Sequence, residues 1–413
     1  MTTDFKPIPR AWSTVALLWF VVCSNYVARL MITTMHGSIL ETIPITEAQF
    51  GLLTSVLLLA YGALQPFAGY LGDRFSRSRV IILSMIAWSV TTFLTAYART
   101  FEELLVMRTL MGVSEALYMP AAFALITDYH RGPTRSLAMG IHMTGTYVGC
   151  SLAGLGGWLA ELRSWNYAFG VVGLAGIAFS VLLLFTLRDA PREGDREIAG
   201  EATRSPPGFG IALASLFSRG SFILVLVFFG LIGITGWLVL GWMPIFLQGH
   251  FHLRQGAAGW SATSYLNVAA LFGVLIGGAW ADRWAKTNVR GCILVPFIGL
   301  LVAGPSVWMT AQTSSYVFAM LGLTLYGLTI AFTQTNIMPI LCLITDPRYR
   351  ATSFGVINLG NQIGGGLGIY AAGALMDAHH DLGKILTGTA GCLILCAILL
   401  FFVKAPHSAR APD

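Results

Sequence analysis

The stretch Gly69-Tyr-Leu-Gly-Asp-Arg-Phe-Ser-Arg-Ser-Arg79 returns, altered, as Gly277-Gly-Ala-Trp-Ala-Asp-Arg-Trp-Ala-Lys286. In both, an apolar and Gly-rich helix stops at Asp-Arg and a basic cluster follows. Gly69-x-x-x-Asp73-Arg74 matches Gly278-x-x-x-Asp282-Arg283 at a distance of 209 positions, about half of the 413-residue chain. A second pair, Arg135-Ser-Leu-Ala-Met-Gly140 and Arg350-Ala-Thr-Ser-Phe-Gly355, repeats at 215. Internal duplication in an apolar chain predicts two homologous halves with a ligand site between them.

The whole chain is 55% hydrophobic and 11% charged, with mean hydropathy +0.71. Soluble proteins carry about 25% charged residues. So few charges cannot coat a water-exposed surface, and the class is an integral membrane protein. Apolar stretches long enough to span a bilayer number twelve: 12–37, 48–72, 79–98, 103–127, 135–160, 166–187, 221–248, 257–281, 290–311, 315–343, 351–376 and 384–403. The connection 189–219 carries Arg192, Glu193, Asp195, Arg196, Glu197, Glu201 and Pro206-Pro207. It reads as a solvated cytoplasmic linker between an N-terminal six-helix bundle, 1–188, and a C-terminal one, 220–413. The first apolar stretch lacks a small-residue cleavage site, so it is expected to be retained as a helix.

With the N-terminus inside, 19 Lys and Arg fall on inner loops and tails, four lie outside and two lie within helices. That bias predicts a multi-pass protein of the inner or plasma membrane, with both termini cytoplasmic. The net charge of +6 is then a topology signal spread over short loops, and no nucleic-acid partner is expected. The six cysteines fall within or at the edges of apolar segments. None stands in metal-ligand spacing with His, so neither metal nor cofactor is expected. The Gly-rich runs at 154–157 and 364–366 lie inside spans with no Gly-Lys-Ser/Thr after them. They read as close helix contacts, not phosphate loops.

The duplicated turn, the twelve spans, the central loop and Arg108-x-x-x-Gly112 in the fourth helix together resemble the major facilitator superfamily of secondary transporters. The resemblance covers nearly the whole chain. It implies an all-α fold of twelve transmembrane helices in two pseudo-symmetric six-helix halves, working as a monomer and not as an enzyme. The turn departs from the family pattern at Ser76 and Ala285, where Gly is usual, and at Ser78, where a basic residue is usual. The fifth helix, Gly145-Thr-Tyr-Val-Gly-Cys150, lacks the Gly-Pro pair of the antiporters, which disfavours exchange.

Two shorter stretches, Asn25-Tyr-Val-Ala-Arg29 and Gly112-Val-Ser-Glu-Ala116, look like both the anion:cation symporters of sugar acids and related organic anions and the spinster-type lysolipid transporters. Trp242-Met-Pro-Ile-Phe-Leu247 looks more like the anion symporters. Where the resemblance implies an Asp that takes part in proton coupling, this chain has Ala28.

Candidate residues follow. Asp73, Arg74, Asp282 and Arg283, with Arg108 inside the fourth helix, are assigned to conformational gating, by analogy with the family's cytoplasmic latch. Arg29 lies too deep in the first helix to be a loop charge, so it must face the protein and have a partner. Asn25, Arg29, Thr33 and His36 are spaced 4, 4 and 3, one polar stripe on a helix. The planar fork of Arg29 suits a carboxylate or phosphate; a fixed pair with Glu115 or a link to backbone carbonyls is the alternative. Glu115 stands alone as an acidic residue in mid-helix. It is the candidate proton site, with His142 a second titratable group.

The second half offers amides and aromatics: Gln334, Asn358, Asn361, Gln362 and Trp242, as ligand contacts or as helix–helix glue. The function expected is alternating-access transport of a small organic anion, with a sugar acid in view, by proton symport. A spinster-like carrier of amphipathic lipids and a non-transporting nutrient receptor are the alternatives.

Overall fold

The computed structural model describes residues 10–130, 134–190, 209–288, 290–346 and 349–403, and of residues 66, 69–74 and 351 the backbone alone. Among the described residues every regular element is helical. In the first half these are α1 (Ala11–Leu30), a 3-10 turn (Met31–Thr34), α2 (His36–Leu40), α3 (Glu47–Arg74), α4 (Arg77–Thr95), α5 (Phe101–Ala116), α6 (Tyr118–Tyr129), α7 (Arg135–Leu152), α8 (Leu155–Leu162) and α9 (Trp165–Thr186). The short α10 (Phe209–Phe217) leads into α11 (Gly220–His250), α12 (Gln255–Ala285), α13 (Gly291–Gln312), α14 (Tyr316–Ile344), α15 (Arg350–Asp377) and α16 (Leu382–Phe401).

Ten of the described helical stretches are long and apolar enough to cross a membrane. The other two spans are the interrupted pair α7–α8 and the Gly- and Asn-rich α15. The expected twelve-span architecture is present.

Three spans read as continuous are broken. The first changes to a 3-10 turn at Met31, where the hydroxyls of Thr33 and Thr34 donate to the carbonyls of Leu30 and Met31. The predicted polar stripe therefore ends early: His36 heads α2 and pairs with Glu47 at 2.7 Å. The fourth span breaks between Ala116 and Tyr118. Pro120 has no N–H to bond the carbonyl four residues back, so the turn above it loses a rung. The fifth breaks between Leu152 and Leu155, at Gly154. The α12 helix also runs to Ala285, three residues past the expected stop at Asp282.

Part of the predicted solvated linker is ordered and apolar. Ala212 and Leu216 of α10 are buried, and Phe217 meets Phe222 edge-on at 5.9 Å. The sequence Phe-Gly-Ile-Ala-Leu-Ala-Ser-Leu-Phe has too little polarity to stay in water. The charged stretch at 191–208 lies outside the described residues.

The duplication is visible in the packing. A Cβ on Gly112 would collide with the carbonyl of Leu57, and one on Gly327 with that of Leu266. The glycines are 215 apart and the leucines 209 apart, the two spacings of the sequence repeat. The same helix–helix contact has been built twice.

The halves meet along two seams, α3 with α15 and α7–α8 with the start of α12. Across the first, Asp377 accepts from the N–H groups of Glu47 and Ala48, the hydroxyl of Ser55 donates to the carbonyl of Gly366, and Asn358 donates to Gln65. Across the second, Thr263 donates to the carbonyl of Ser151 and Glu161 accepts from the N–H of Gly256. Every hydrogen bond traced between the halves lies at or beyond Gln65, toward the end remote from the termini. At the other end Asp282 and Arg283 are exposed and make no ion pair with described residues. There a cleft of about 210 Å³ lies within the second half, among α12, α13 and α14, beside Asp282, Cys292 and Asn336. Among the described residues the two halves are bonded to each other at the end remote from the termini.

Candidate functional site

Arg29 occupies the last turn of α1 and Glu115 the last turn of α5. Each stands just before the break in its span, so the two helix ends bring a cation and a carboxylate together inside the first half. Arg29 donates from Nε and from Nη2 to Glu115 Oε2, at 2.8 and 2.5 Å. Their side chains are 3% and 0% exposed, so water does not solvate the pair. The guanidinium lies between two aromatic rings, 5.0 Å from the centroid of Tyr26 and 4.5 Å from that of Tyr61. Those faces add cation–π attraction and restrict an incoming group to the guanidinium plane.

Arg108 is buried too, but its donors are spent elsewhere. Nε donates to the carbonyl of Leu53 at 3.2 Å and Nη2 to the carbonyl of Arg29 at 2.9 Å. It ties the end of α1 to α3 and forms no direct bond to Glu115. Oε1 of Glu115 and Nδ2 of Asn25 are both fully buried without a well-formed hydrogen bond, and the Asn25 side chain lies against the Glu115 carboxylate. Among the described residues the buried arginines and carboxylates are Arg29, Arg108 and Glu115. Two cations are buried with one carboxylate.

His142 is fully buried on α7. Tyr118 donates its hydroxyl proton to the carbonyl of Leu18 at 2.8 Å, so at 2.9 Å from Nε2 of His142 it can only accept. The imidazole proton is therefore on Nε2, and Nδ1 is a buried lone pair with no partner.

The second-half residues are dispersed. Asn361 donates to the carbonyl of Phe229 at 3.0 Å, a bond between α15 and α11. Asn358 reaches Gln65 in the other half. Gln362 packs where Gly62 brings α3 close, and its Oε1 has no partner. Gln334 is exposed on α14. Trp242 does not line an open cavity: it is buried at the closed end, donates to the carbonyl of Ile369 at 3.1 Å, and stacks edge-on against His36 and Phe50. The side chains of Asp73 and Arg74 lie outside the described residues. Sequence reasoning missed Tyr61 and Gln65. They stand one helical turn apart on α3, beside Gly62, and that spacing was the available signal.

Two related six-helix halves, hydrogen-bonded to each other at one end and with a buried ion pair inside the first, have the build of a membrane transporter. The family model of the Major Facilitator Superfamily matches residues 18–369, and the chain belongs to that family. It is a multi-pass membrane transporter and not an enzyme. Relatives include Protein spinster homolog 1 of Xenopus tropicalis, 26% identical over 88% of this chain and 72% of that protein. The probable sulfoacetate transporter SauU of Cupriavidus necator is 26% identical over 96% of this chain and 94% of that protein. In fold, the chain resembles a bacterial homolog of the human lysosomal transporter spinster, solved in an inward-facing and occupied conformation. That likeness has a TM-score of 0.79 at 23% identity, over 96% of this chain and 97% of the other. The nucleoside transporter NupG shares the fold at a TM-score of 0.76 and 14% identity, over 95% of this chain and 99% of that one.

Proposed function

We propose that this protein carries a small organic anion across the inner or plasma membrane by alternating access, with a proton moving in the same direction. The observation that carries the reading is the charge balance around Arg29. An unbalanced cation inside a membrane protein costs several kcal/mol, and an anionic ligand would remove that cost. Oε1 of Glu115 and Nδ2 of Asn25, beside it, lack well-formed hydrogen bonds, with Asn25 against the carboxylate.

Coupling follows from the shared partner. An anion on the free edge of Arg29 weakens the hold of that arginine on Glu115, and Glu115 takes a proton. By reciprocity, a protonated Glu115 leaves Arg29 freer to hold the anion. The two ligands reinforce each other, which is the sign a symporter needs. A proton also cancels the charge of a monoanion, removing a cost of about 2.3 kcal/mol per 100 mV of opposing potential. The relative SauU supports the anion reading. His142 serves this scheme as a second proton acceptor through Nδ1.

In this reading residues 1–188 and 220–413 are the two moving bodies and 189–219 the linker. Both termini are cytoplasmic, the protein works as a monomer, and the hydrogen-bonded end is the outer face, held shut. Asp73, Arg74, Asp282 and Arg283 latch the cytoplasmic face in the opposite state, and Arg108 holds α1 to α3 through the cycle. Asn358 and Gln362 face Gln65 and Gly62 across the seam. They become available to the ligand, with Gln334, Asn361 and Trp242, when the halves rock apart.

A second reading, a carrier of amphipathic lipids, draws on the spinster relatives and on a second half without a buried charge among its described residues. Uptake into proteoliposomes separates the two. Hexuronates, aldonates, sulfonates and lysophospholipids would be offered with and without an inward proton gradient. Gradient-driven uptake of an acid by wild type, absent in Arg29→Ala, is expected. Transport of lysophospholipid alone would replace the anion reading by the lipid one.

A further inference from the structure

Two carboxylates at the closed end cap helices across the interface. Glu161, in the last turn of α8 in the first half, accepts from the N–H of Gly256, in the first turn of α12 in the second, at 2.9 Å. Asp377, the last residue of α15 in the second half, accepts from the N–H groups of Glu47 and Ala48, which start α3 in the first, at 2.9 Å each. The two arrangements are copies of one another. Ala48 and Gly256 are 208 apart, one residue from the 209 that relates Asp73 to Asp282. Glu161 and Asp377 are 216 apart, one residue from the 215 that relates Arg135 to Arg350.

The glycines before them repeat as well. Gly157-Trp-Leu-Ala-Glu161 and Gly373-Ala-Leu-Met-Asp377 both read Gly-x-x-x-acid. A Cβ on Gly157 would press on the carbonyl of Gln255 and the Cα of Gly256; one on Gly373 would press on the carbonyl of Glu47 and the Cα of Ala48. In each copy the glycine lets the fifth span of one half touch the start of the second span of the other. One turn later, the carboxylate caps the helix it touches.

We propose that Glu161 and Asp377 form a paired latch that holds this face of the transporter shut and must be released at both points for it to open. The first N–H groups of a helix have no partner within it and carry the positive end of the helix dipole. A carboxylate there makes charge-assisted bonds, stronger than those between neutral groups. Because each bond crosses between halves, it is made in the closed state and lost in the open one. Only such a differential contact shifts a conformational equilibrium. The two caps sit on opposite seams, so with one released the halves pivot about the other and the face stays shut. The bonds Ser38–Gln255 and His36–Glu47 flank the latch and are not duplicated.

The test uses the full-length protein without substrate, so it stands apart from the choice between anion and lipid. Spin labels at Tyr97 and Ser314, exposed on loops of opposite halves at this end, report its opening as a distance distribution. In Glu161→Ala/Asp377→Ala the long-distance population is expected to rise roughly tenfold or more, the size expected for losing charge-assisted bonds. Each single variant should give a much smaller rise. An unchanged distribution in the double variant overturns the latch. A full shift from one single variant overturns the pairing. If the alanine pair does not fold, Glu161→Gln/Asp377→Asn keeps the side-chain shape and is read by the same criteria.

Discussion

Both hydrogen bonds that Arg29 gives to Glu115 end on one oxygen, Oε2, while Oε1 is fully buried without a well-formed bond and Asn25 lies against the carboxylate. A purely structural pair would satisfy both oxygens, because a buried unpaired acceptor costs about 1–3 kcal/mol. In the proposed cycle one oxygen anchors the arginine and the other receives the proton.

Glu115→Gln keeps the size of the side chain and an oxygen for Arg29 but removes the ionisable group. Uptake driven by a proton gradient should be lost, while counterflow exchange of substrate persists. Proteoliposome flux measured both ways checks this. Gradient-driven accumulation in the variant would remove Glu115 from the coupling.

Removing the other partner strands a carboxylate. Arg29→Ala should lower stability by about 3–5 kcal/mol, the range for breaking a buried pair from one side. Adding Glu115→Gln should recover part of that loss, since no charge is then left unpaired. Thermal unfolding of the wild type, both single variants and the double variant gives the coupling.

The duplicated glycine contacts predict matched costs. Gly112→Ala and Gly327→Ala each push a methyl group into a backbone carbonyl of a neighbouring helix. Each should destabilise by about 1–3 kcal/mol, as overpacking of a close contact does. Gly140→Ala, where a Cβ meets nothing within 4 Å, is the control and should be neutral. Melting temperatures of the three variants decide it.

Asp377 gives a pH signature outside the span. Burial raises its pKa, but the hydrogen bonds from Ala48, Thr46 and Glu47 outweigh that, and the carboxyl is held below its ordinary value. A depressed carboxylate contributes stability above its unfolded pKa, about 3.9, and that contribution is lost as pH falls through the lower folded value. The difference in melting temperature between wild type and Asp377→Asn should be constant from neutral pH to about 5 and vanish in stronger acid. A difference that grows as pH falls would contradict the cap.

His142 tests whether its buried lone pair takes part. His142→Gln can still donate to Tyr118 but has no nitrogen lone pair in the place of Nδ1. If the group relays protons, the pH dependence of uptake should shift while substrate KM stays the same. An unchanged profile would leave His142 as a structural donor to Tyr118.

The sequence by itself determined the class, the number of spans and the twofold plan. Those follow from hydropathy and from the repeat around Asp73 and Asp282, and neither depends on how helices touch. It also marked Arg29 and Glu115, because a charge inside an apolar span is visible in one dimension. Tertiary structure alone decided the partners. Whether Arg108 would face Glu115 or two backbone carbonyls depends on where α1 breaks, and that break is set by threonine hydroxyls turning back on the chain. Asn361 and Trp242 spend their donors on neighbouring backbone, a choice fixed by contacts with helices 132 and 127 residues away in sequence. The latch at Glu161 and Asp377 was spelled out twice in the chain, yet its meaning appears only when each half supplies the helix end that the other half caps. Periodicity reports which residues share a face; only packing reports what that face meets.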